Sequence, residues 1–240
     1  QEDLLLQGDA YALENGILRL TKTDASGTVP QKNSVGRVLY SAPVHLWDSS
    51  RLATFETTIR FAITHTNNNP ADGIAFFLAP QDTTIPSGSQ GGNLGIFPTS
   101  GSQDHVVAVE FDVYVNGQWD PSYRHIGIDI ESRDSKKTTE WESVSGQVVT
   151  ARINYDANFK RLSVSATASP QGRRVNQETY TVTYDNVNLK TLLPEYVRVG
   201  ISGATGQEVA IHDIRSWYFS SYLVNIAKKE KEDMYIAQYV

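Results

Sequence analysis

The stretch VAVEFDVYVNGQWDPSYRHIGIDIES, residues 107–132, gathers Glu110, Asp112, Asp120, His125 and Asp129 within one β-rich segment. Its valine-rich start reads as a buried strand, and a carboxylate buried without a partner must be compensated or protonated. Three kinds of chemistry fit. Alternation over 106–115 puts Val107, Val109, Phe111 and Val113 on one side and Glu110, Asp112 and Tyr114 on the other,. Two carboxylates then project from one face about 7 Å apart along the strand. With Asp120, His125, the Asn116 amide and backbone carbonyls they make a set of hard oxygen donors plus one nitrogen. Oxygen-only donors suit Ca²⁺, and an added imidazole favours an ion such as Mn²⁺. A glycosidase pair would need an acid and a carboxylate about 5–9 Å apart. A solvated polar strand face is the third reading, and spacing alone leaves all three open.

The surrounding chain reads as a scaffold of strands. Alternating or β-branched runs recur at 17–21, 35–41, 54–63, 73–79, 106–115, 125–131, 148–155, 161–168, 179–185, 196–202 and 211–222. Gly, Pro, Asn, Asp and Ser clusters such as TNNNPADG, PSGSQGGN and SPQGRR separate them. In 54–63, Phe55, Ile59, Phe61 and Ile63 share one face while Glu56, Thr58 and Arg60 share the other. Period-two patterning with turn punctuation predicts an all-β sandwich of two antiparallel sheets. No repeat or linker divides the 240 residues, so one domain spanning 1–240 is expected,.

Net charge is −6, with no basic cluster before the tail, which disfavours nucleic acid as a partner,. No apolar run is long enough to enter a membrane, and no signal-peptide pattern opens the chain, so a secreted protein would be read here in processed form,. The absence of cysteine excludes disulfides and thiolate metal sites,. No N-x-[ST] sequon is present, and N-glycosylation is not expected,.

The 107–132 segment resembles the metal-binding segment of the legume lectins. DLLLQGDA (3–10), VGRVLYSAPVHLWD (35–48), ADGIAFFLAP (71–80), TTIPSGSQGGNLGIF (83–97), LPEYVRVGISGATG (193–206) and SWYFSS (216–221) resemble further segments of that family, in its order, over about 3–223. The resemblance implies a legume-lectin jelly-roll sandwich that binds carbohydrate without transforming it. It implies an Mn²⁺-type ion held by Glu110, Asp112, Asp120 and His125, with Ser135 reaching it through water. It implies a Ca²⁺ held by Asp112, Asp120, the Tyr114 carbonyl and the Asn116 side chain.

The sugar contacts it implies lie on four loops. Asp72, after an Ala71–Asp72 bond that matches a non-proline cis peptide, would accept from two sugar hydroxyls; Asn116 would donate its amide. Tyr114 would offer an aromatic face, and the backbone N–H groups of Gly92, Gln207 and Glu208 would donate to the sugar. Taken singly, Tyr114 reads as packing, Gly92 and Asp72 as turn residues, and Gln207 and Glu208 as exposed loop. Their joint match singles them out.

Only Gln207–Arg215, nine residues, separate Gly206 from Ser216. Short loops here go with the mannose/glucose branch, so α-mannose, α-glucose and mannose-rich glycans are the expected ligands. Certain endoglucanases share this sandwich and carry an E-x-D-x-E strand; here Glu110-Phe-Asp112-Val-Tyr114 has tyrosine in place of the second glutamate, which counts against hydrolysis. A storage or defence homologue that has lost its site is the other rival, and the intact ADG, GGN and ligand set argue against it. Weak single sites call for multivalency, so a homodimer or homotetramer is expected. The family association implies a plant seed protein of the secretory pathway, stored in vacuoles.

The tail departs from the pattern. A charged block, Lys228 to Asp233, precedes MYIAQYV (234–240). Most family members open with an aromatic-alternating strand before LxLQGDA, and this chain begins at Gln1 without it. Residues 225–240 are therefore expected to be a charged linker plus a terminal strand, 234–240, that pairs in the back sheet as in a circular permutation; a frayed terminus or short helix is the alternative,.

Overall fold

Alternating side chains along paired strands must bury one face of each sheet, and here they do so against each other. The computed structural model describes residues 3–65, 67–142, 145–168 and 178–226. The strands are β1 (Leu4–Gly8), β2 (Tyr11–Ala12), β3 (Leu18–Arg19), β4 (Val35–Tyr40), β5 (Val44–His45) and β6 (Arg51–Thr64). They continue with β7 (Gly73–Pro80), β8 (Ser102–Asp112), β9 (His125–Ser132), β10 (Lys137–Glu140) and β11 (Val148–Asp156). The last are β12 (Arg161–Ala168), β13 (Thr179–Tyr184), β14 (Tyr196–Ala204) and β15 (Ile211–Asn225). A single helical turn, α1 (Leu189–Leu192), precedes β14.

One sheet runs β1-β4-β14-β7-β8-β9-β10, with β5 also paired to β14; the other runs β13-β12-β11-β6-β15-β3-β2. Every pairing is antiparallel. This is the all-β, two-sheet jelly-roll architecture that the sequence predicts. Between the sheets lie Phe55, Phe61, Phe76, Phe111 and Trp141, all buried, with tilted ring contacts such as Phe61–Phe111 at 5.0 Å. Burying each such side chain contributes roughly 1.5–3 kcal/mol.

The central strands of the first sheet depart from simple alternation: Gly73–Ala79 of β7 and Val106–Asp112 of β8 are buried throughout. Ile74, Phe76 and Leu78 enter the core between the sheets, while Ala75, Phe77 and Ala79 enter a second cluster with Leu94, Ile96 and Phe97. The segment between β7 and β8 therefore folds back over the outer face of the first sheet. Arg37 pins that segment by donating to Thr84 O and Thr83 Oγ1, both at 2.8 Å, and Ser202 Oγ donates to Leu94 O at 2.6 Å.

Several elements differ from the sequence reading. β1, β2, β5 and β10 lie outside the predicted runs, because LLLQG, YA, VH and KTTE show no alternation of apolar residues. β8 ends at Asp112, so Tyr114 lies beyond the strand and the face expected for it does not extend that far. The chain turns because Asp112 Oδ1 accepts from the Tyr114 N–H at 2.7 Å, a local side-chain bond that competes with the ladder,. Of the expected linker and terminal strand, 225–240, Asn225 instead ends β15, and the charged block and the strand at 234–240 lie within 227–240, outside the described residues.

Candidate functional site

The strand registers bring four chain segments to one end of the first sheet. Gly73 pairs with Asp112, Asp112 with His125, and Gly73 with Ala204. The start of β7, the end of β8, the start of β9 and the end of β14 thus converge, each with its adjoining loop. The folded-back segment joins them: the Gly91 N–H donates to Thr205 O at 3.1 Å.

Glu110 and Asp112 on β8 face the same side as their cross-strand partners Gly127 and His125,. His125 Nε2 lies 2.8 Å from Glu110 Oε1, and donor atoms of Glu110, Asp112 and His125 fall within 4.8 Å of one another. Ser135 Oγ lies 2.7 Å from Glu110 Oε1 and 2.5 Å from Asp129 Oδ1. Glycine at 127 leaves the space: a Cβ there would stand 2.0 Å from Ser135 Oγ and 2.5 Å from Glu110 Oε1. Asp120 faces the cluster from the 113–120 loop, where its Oδ2 accepts from the Asn116 N–H at 2.6 Å.

The electrostatics ask for positive charge. Glu110, Asp112, His125 and Asp129 are each no more than 2% exposed. Burial, then Glu110 and Asp120, hold the Asp112 carboxyl well above the usual range; burial and Glu110 do the same to Asp129. Asp120 is pushed up to about 6, chiefly by burial, with Asn116 opposing and Glu110 adding. Burial disfavours the charged His125 ring, but the hydrogen bond and charge of Glu110 and the charge of Asp120 outweigh it and leave its pKa raised. Charges taken from water cost several kcal/mol each unless compensated. A donor set of carboxylates, an amide oxygen and one imidazole fits hard divalent cations.

Asp72 stands beside this cluster. The Ala71–Asp72 peptide is cis, as the sequence comparison implies. Asp72 N–H donates to Ala204 O at 3.0 Å and its carbonyl accepts from Val113 N–H at 2.9 Å, tying it to both β14 and the 113–120 loop. Its side chain is buried, Oδ2 has no hydrogen-bond partner, and burial pushes the carboxyl up to about 7 despite a bond from the Gly206 backbone. Asn116 Oδ1 is likewise buried without a partner. A Cβ at Gly92 would stand 2.3 Å from that oxygen, and one at Gly206 would stand 3.2 Å from Asp72 Oδ2. Asp72, Gly92, Asn116 and Gly206 therefore share one locale.

Of the residues singled out in the sequence, Glu110, Asp112, His125 and Ser135 form one contact cluster, with Asp120 charge-coupled to it. Tyr114 is half-buried just past β8, while Gln207 is exposed and Glu208 half-buried directly after Gly206. Three further residues belong to the site. Asp129, named with the acidic cluster in the sequence but given no role there, shares the face of Glu110, since it pairs with Ala108 two positions along. Trp119 and Arg133 stack at 3.6 Å beside Asp120, a contact that no local pattern announces.

The model of the legume lectin domain matches residues 1–234. Agglutinin-2 of Cladrastis kentukea is 52% identical over 247 residues, covering 100% of this chain and 83% of that protein. The mannose/glucose-specific lectin of Centrolobium tomentosum is 44% identical over 239 residues, covering 96% of this chain and 94% of that one. Among solved structures, the lectin UEA-II complexed with galactose superposes with a TM-score of 0.84 at 39% identity, covering 92% of this chain and 93% of that chain. The chain belongs to the legume lectin domain family, a carbohydrate-binding and non-enzymatic family, and the hydrolase reading is set aside.

Proposed function

We propose that this legume-lectin domain is a cation-dependent receptor for α-mannose and α-glucose, including mannose-rich glycans. The observation that carries the proposal is a pair of buried oxygens without partners, Asp72 Oδ2 and Asn116 Oδ1, on the two residues that flank Gly92 and Gly206. A buried acceptor left unpaired costs about 1–3 kcal/mol, so both call for ligands from outside the chain.

In this reading Glu110, Asp112, Asp120 and His125 hold an Mn²⁺-type ion, with Ser135 contributing through water. Asp112, Asp120, the Asn116 side chain and the Tyr114 carbonyl hold Ca²⁺. Bound cations supply the positive charge that keeps the buried carboxylates ionised and the 113–120 loop in one conformation. The chain's own groups then do the recognition. Asp72 accepts from two sugar hydroxyls, the Asn116 amide donates to one, and the N–H groups of Gly92, Gln207 and Glu208 donate from the rim. The Tyr114 ring covers the apolar side of the pyranose. Well-formed bonds of this kind contribute roughly 1–3 kcal/mol each.

The sugar preference rests on loop length. β14 ends at Ala204 and β15 begins at Ile211, which supports the short-loop, mannose/glucose reading. The mannose/glucose-specific relative points the same way. The galactose complex of UEA-II favours galactose as the second reading. Calorimetric titration of methyl α-mannoside and methyl α-galactoside into cation-loaded protein separates them: the mannoside is expected to bind and the galactoside not.

Exposed monosaccharide sites bind with Kd on the order of 0.1–1 mM, about 4–5.5 kcal/mol. A homodimer or homotetramer would add a factor of roughly 10²–10⁴ through multivalency. Residues 1–240 are read as one carbohydrate-binding unit, with the charged block Lys228 to Asp233 as linker after β15 and 234–240 as terminal strand. Deleting 228–240 is expected to lower stability or alter assembly, and an unchanged protein would argue for a dispensable tail. A plant seed vacuole is the proposed location, in keeping with relatives such as the seed leukoagglutinin of Maackia amurensis. No described helix is long and apolar enough to cross a membrane.

A further inference from the structure

Arg133 stands where two segments of the site meet. It follows β9, and its backbone N–H donates to Gly101 O at 2.8 Å. Its Nη1 donates to Asn93 Oδ1 at 2.8 Å, and its guanidinium carbon lies 3.6 Å from the centroid of the Trp119 ring. Asn93 closes the helical turn Gly91–Asn93, is 9% exposed, and uses its own amide to donate to Gly88 O at 3.0 Å. Trp119 immediately precedes Asp120, and its N–H donates to Asn116 O at 3.1 Å. The same indole approaches Gly92, where a Cβ would stand 3.1 Å from Trp119 Cζ2.

One guanidinium thus touches both the turn that carries Gly92 and the loop that carries Asn116 and Asp120. Arginine can do this because its plane donates at the edge while its face stacks on an aromatic ring; a lysine ammonium cannot do both. Without Arg133, the Asn93 oxygen, on a mostly buried side chain, would lose its partner.

We propose that Arg133 is a positioning residue, a latch that ties the Gly91–Asn93 turn to the 113–120 loop and so transmits cation binding on that loop to the backbone at Gly92. The proposal rests on the cation-and-carbohydrate reading above and adds a residue that touches neither ligand. It predicts that the two segments respond together to cations, and that breaking the latch from either side uncouples them.

The test is hydrogen exchange of the full chain, with Ca²⁺ and Mn²⁺ or with chelator, in wild type, Arg133→Met, Asn93→Leu and the double variant. In wild type, cations should slow exchange about tenfold in both 88–95 and 113–120. In each variant, slowing should persist at 113–120 and largely vanish at 88–95, with the double variant no worse than either single one. Methyl α-mannoside affinity should fall about tenfold in parallel, the scale expected for a lost charge-assisted bond. Should Arg133→Met fail to fold, Asn93→Leu removes the same bond from the other side. Cation-induced slowing at 88–95 that survives in the variants overturns the latch while leaving the cation reading intact. A wild type in which 113–120 ignores cations overturns both.

Discussion

Gly92 lies against the carboxamide of Asn116, so closely that a methyl group at position 92 would stand 2.3 Å from Asn116 Oδ1 and 2.9 Å from its Cγ. These residues are brought together by two different excursions from the first sheet, the folded-back segment after β7 and the loop after β8. Gly92→Ala must therefore push Asn116 out of place. We expect methyl α-mannoside affinity to fall at least about tenfold, since misplaced donors lose their bonds while overpacking at a loop costs only ~1–3 kcal/mol. Titration calorimetry on a variant of near-native melting temperature checks it.

Asp72 is the buried acceptor on which recognition depends. Asp72→Asn keeps the shape but replaces a charged acceptor by a group that is half donor. Loss of two charge-assisted bonds should weaken sugar binding by roughly a hundredfold or more. Mn²⁺ binding, read by electron paramagnetic resonance, should stay near wild type, because Asp72 is not among the proposed ligands.

Cation loading should grip the fold more tightly as pH rises. In cation-free protein the folded pKa of Asp120 is about 6 and that of Asp72 about 7, above the ordinary carboxylate value of 3.8, and Asp112 is also raised. The folded state then binds more protons than the unfolded state between about pH 4 and 7, so these groups lower cation-free stability as pH rises through that window. Cations must displace the protons on their ligands Asp112 and Asp120, so their affinity rises over the same window. The gain in melting temperature on adding Ca²⁺ and Mn²⁺ should be large at pH 7.5 and small at pH 5.

His212 sets a separate acid limit. It is fully buried on β15, its Nδ1 lies 3.0 Å from Thr21 Oγ1, and burial pushes its pKa down to about 3 from 6.5. The unfolded state binds the proton first, so stability contributed by the neutral ring is present above about pH 6.5 and lost as pH falls toward 3,. From pH 7 to pH 4 this amounts to about 3 kcal/mol. Because the raised carboxyls act with the opposite sign over the same window, the check is the difference between proteins: in urea unfolding of chelated protein, His212→Gln should be less stable than wild type at pH 7, and that deficit should shrink by about 3 kcal/mol on going to pH 4.

The sheets were readable in the sequence because most strands bury one face, as in β6, where Phe55, Ile59, Phe61 and Ile63 alternate with outward residues. Strands such as β1, β5 and β10 escaped because LLLQG, VH and KTTE carry no period-two signal. The cluster of Glu110, Asp112 and His125 was visible because strand spacing and one hairpin unite it. Tyr114 lies beyond the strand that alternation predicts for it because an aspartate side chain ends the ladder early. The Arg133–Asn93 bond spans 40 residues and joins a hairpin to a folded-back loop, so only tertiary structure discloses it.

The most direct test is calorimetric titration of methyl α-mannoside into cation-loaded protein, chelator-stripped protein, stripped protein restored with Ca²⁺ and Mn²⁺, and loaded Asp72→Asn. Binding in the first and third samples, and none in the second and fourth, is the predicted result. Mannoside binding that survives both chelation and loss of the Asp72 carboxylate would contradict the account.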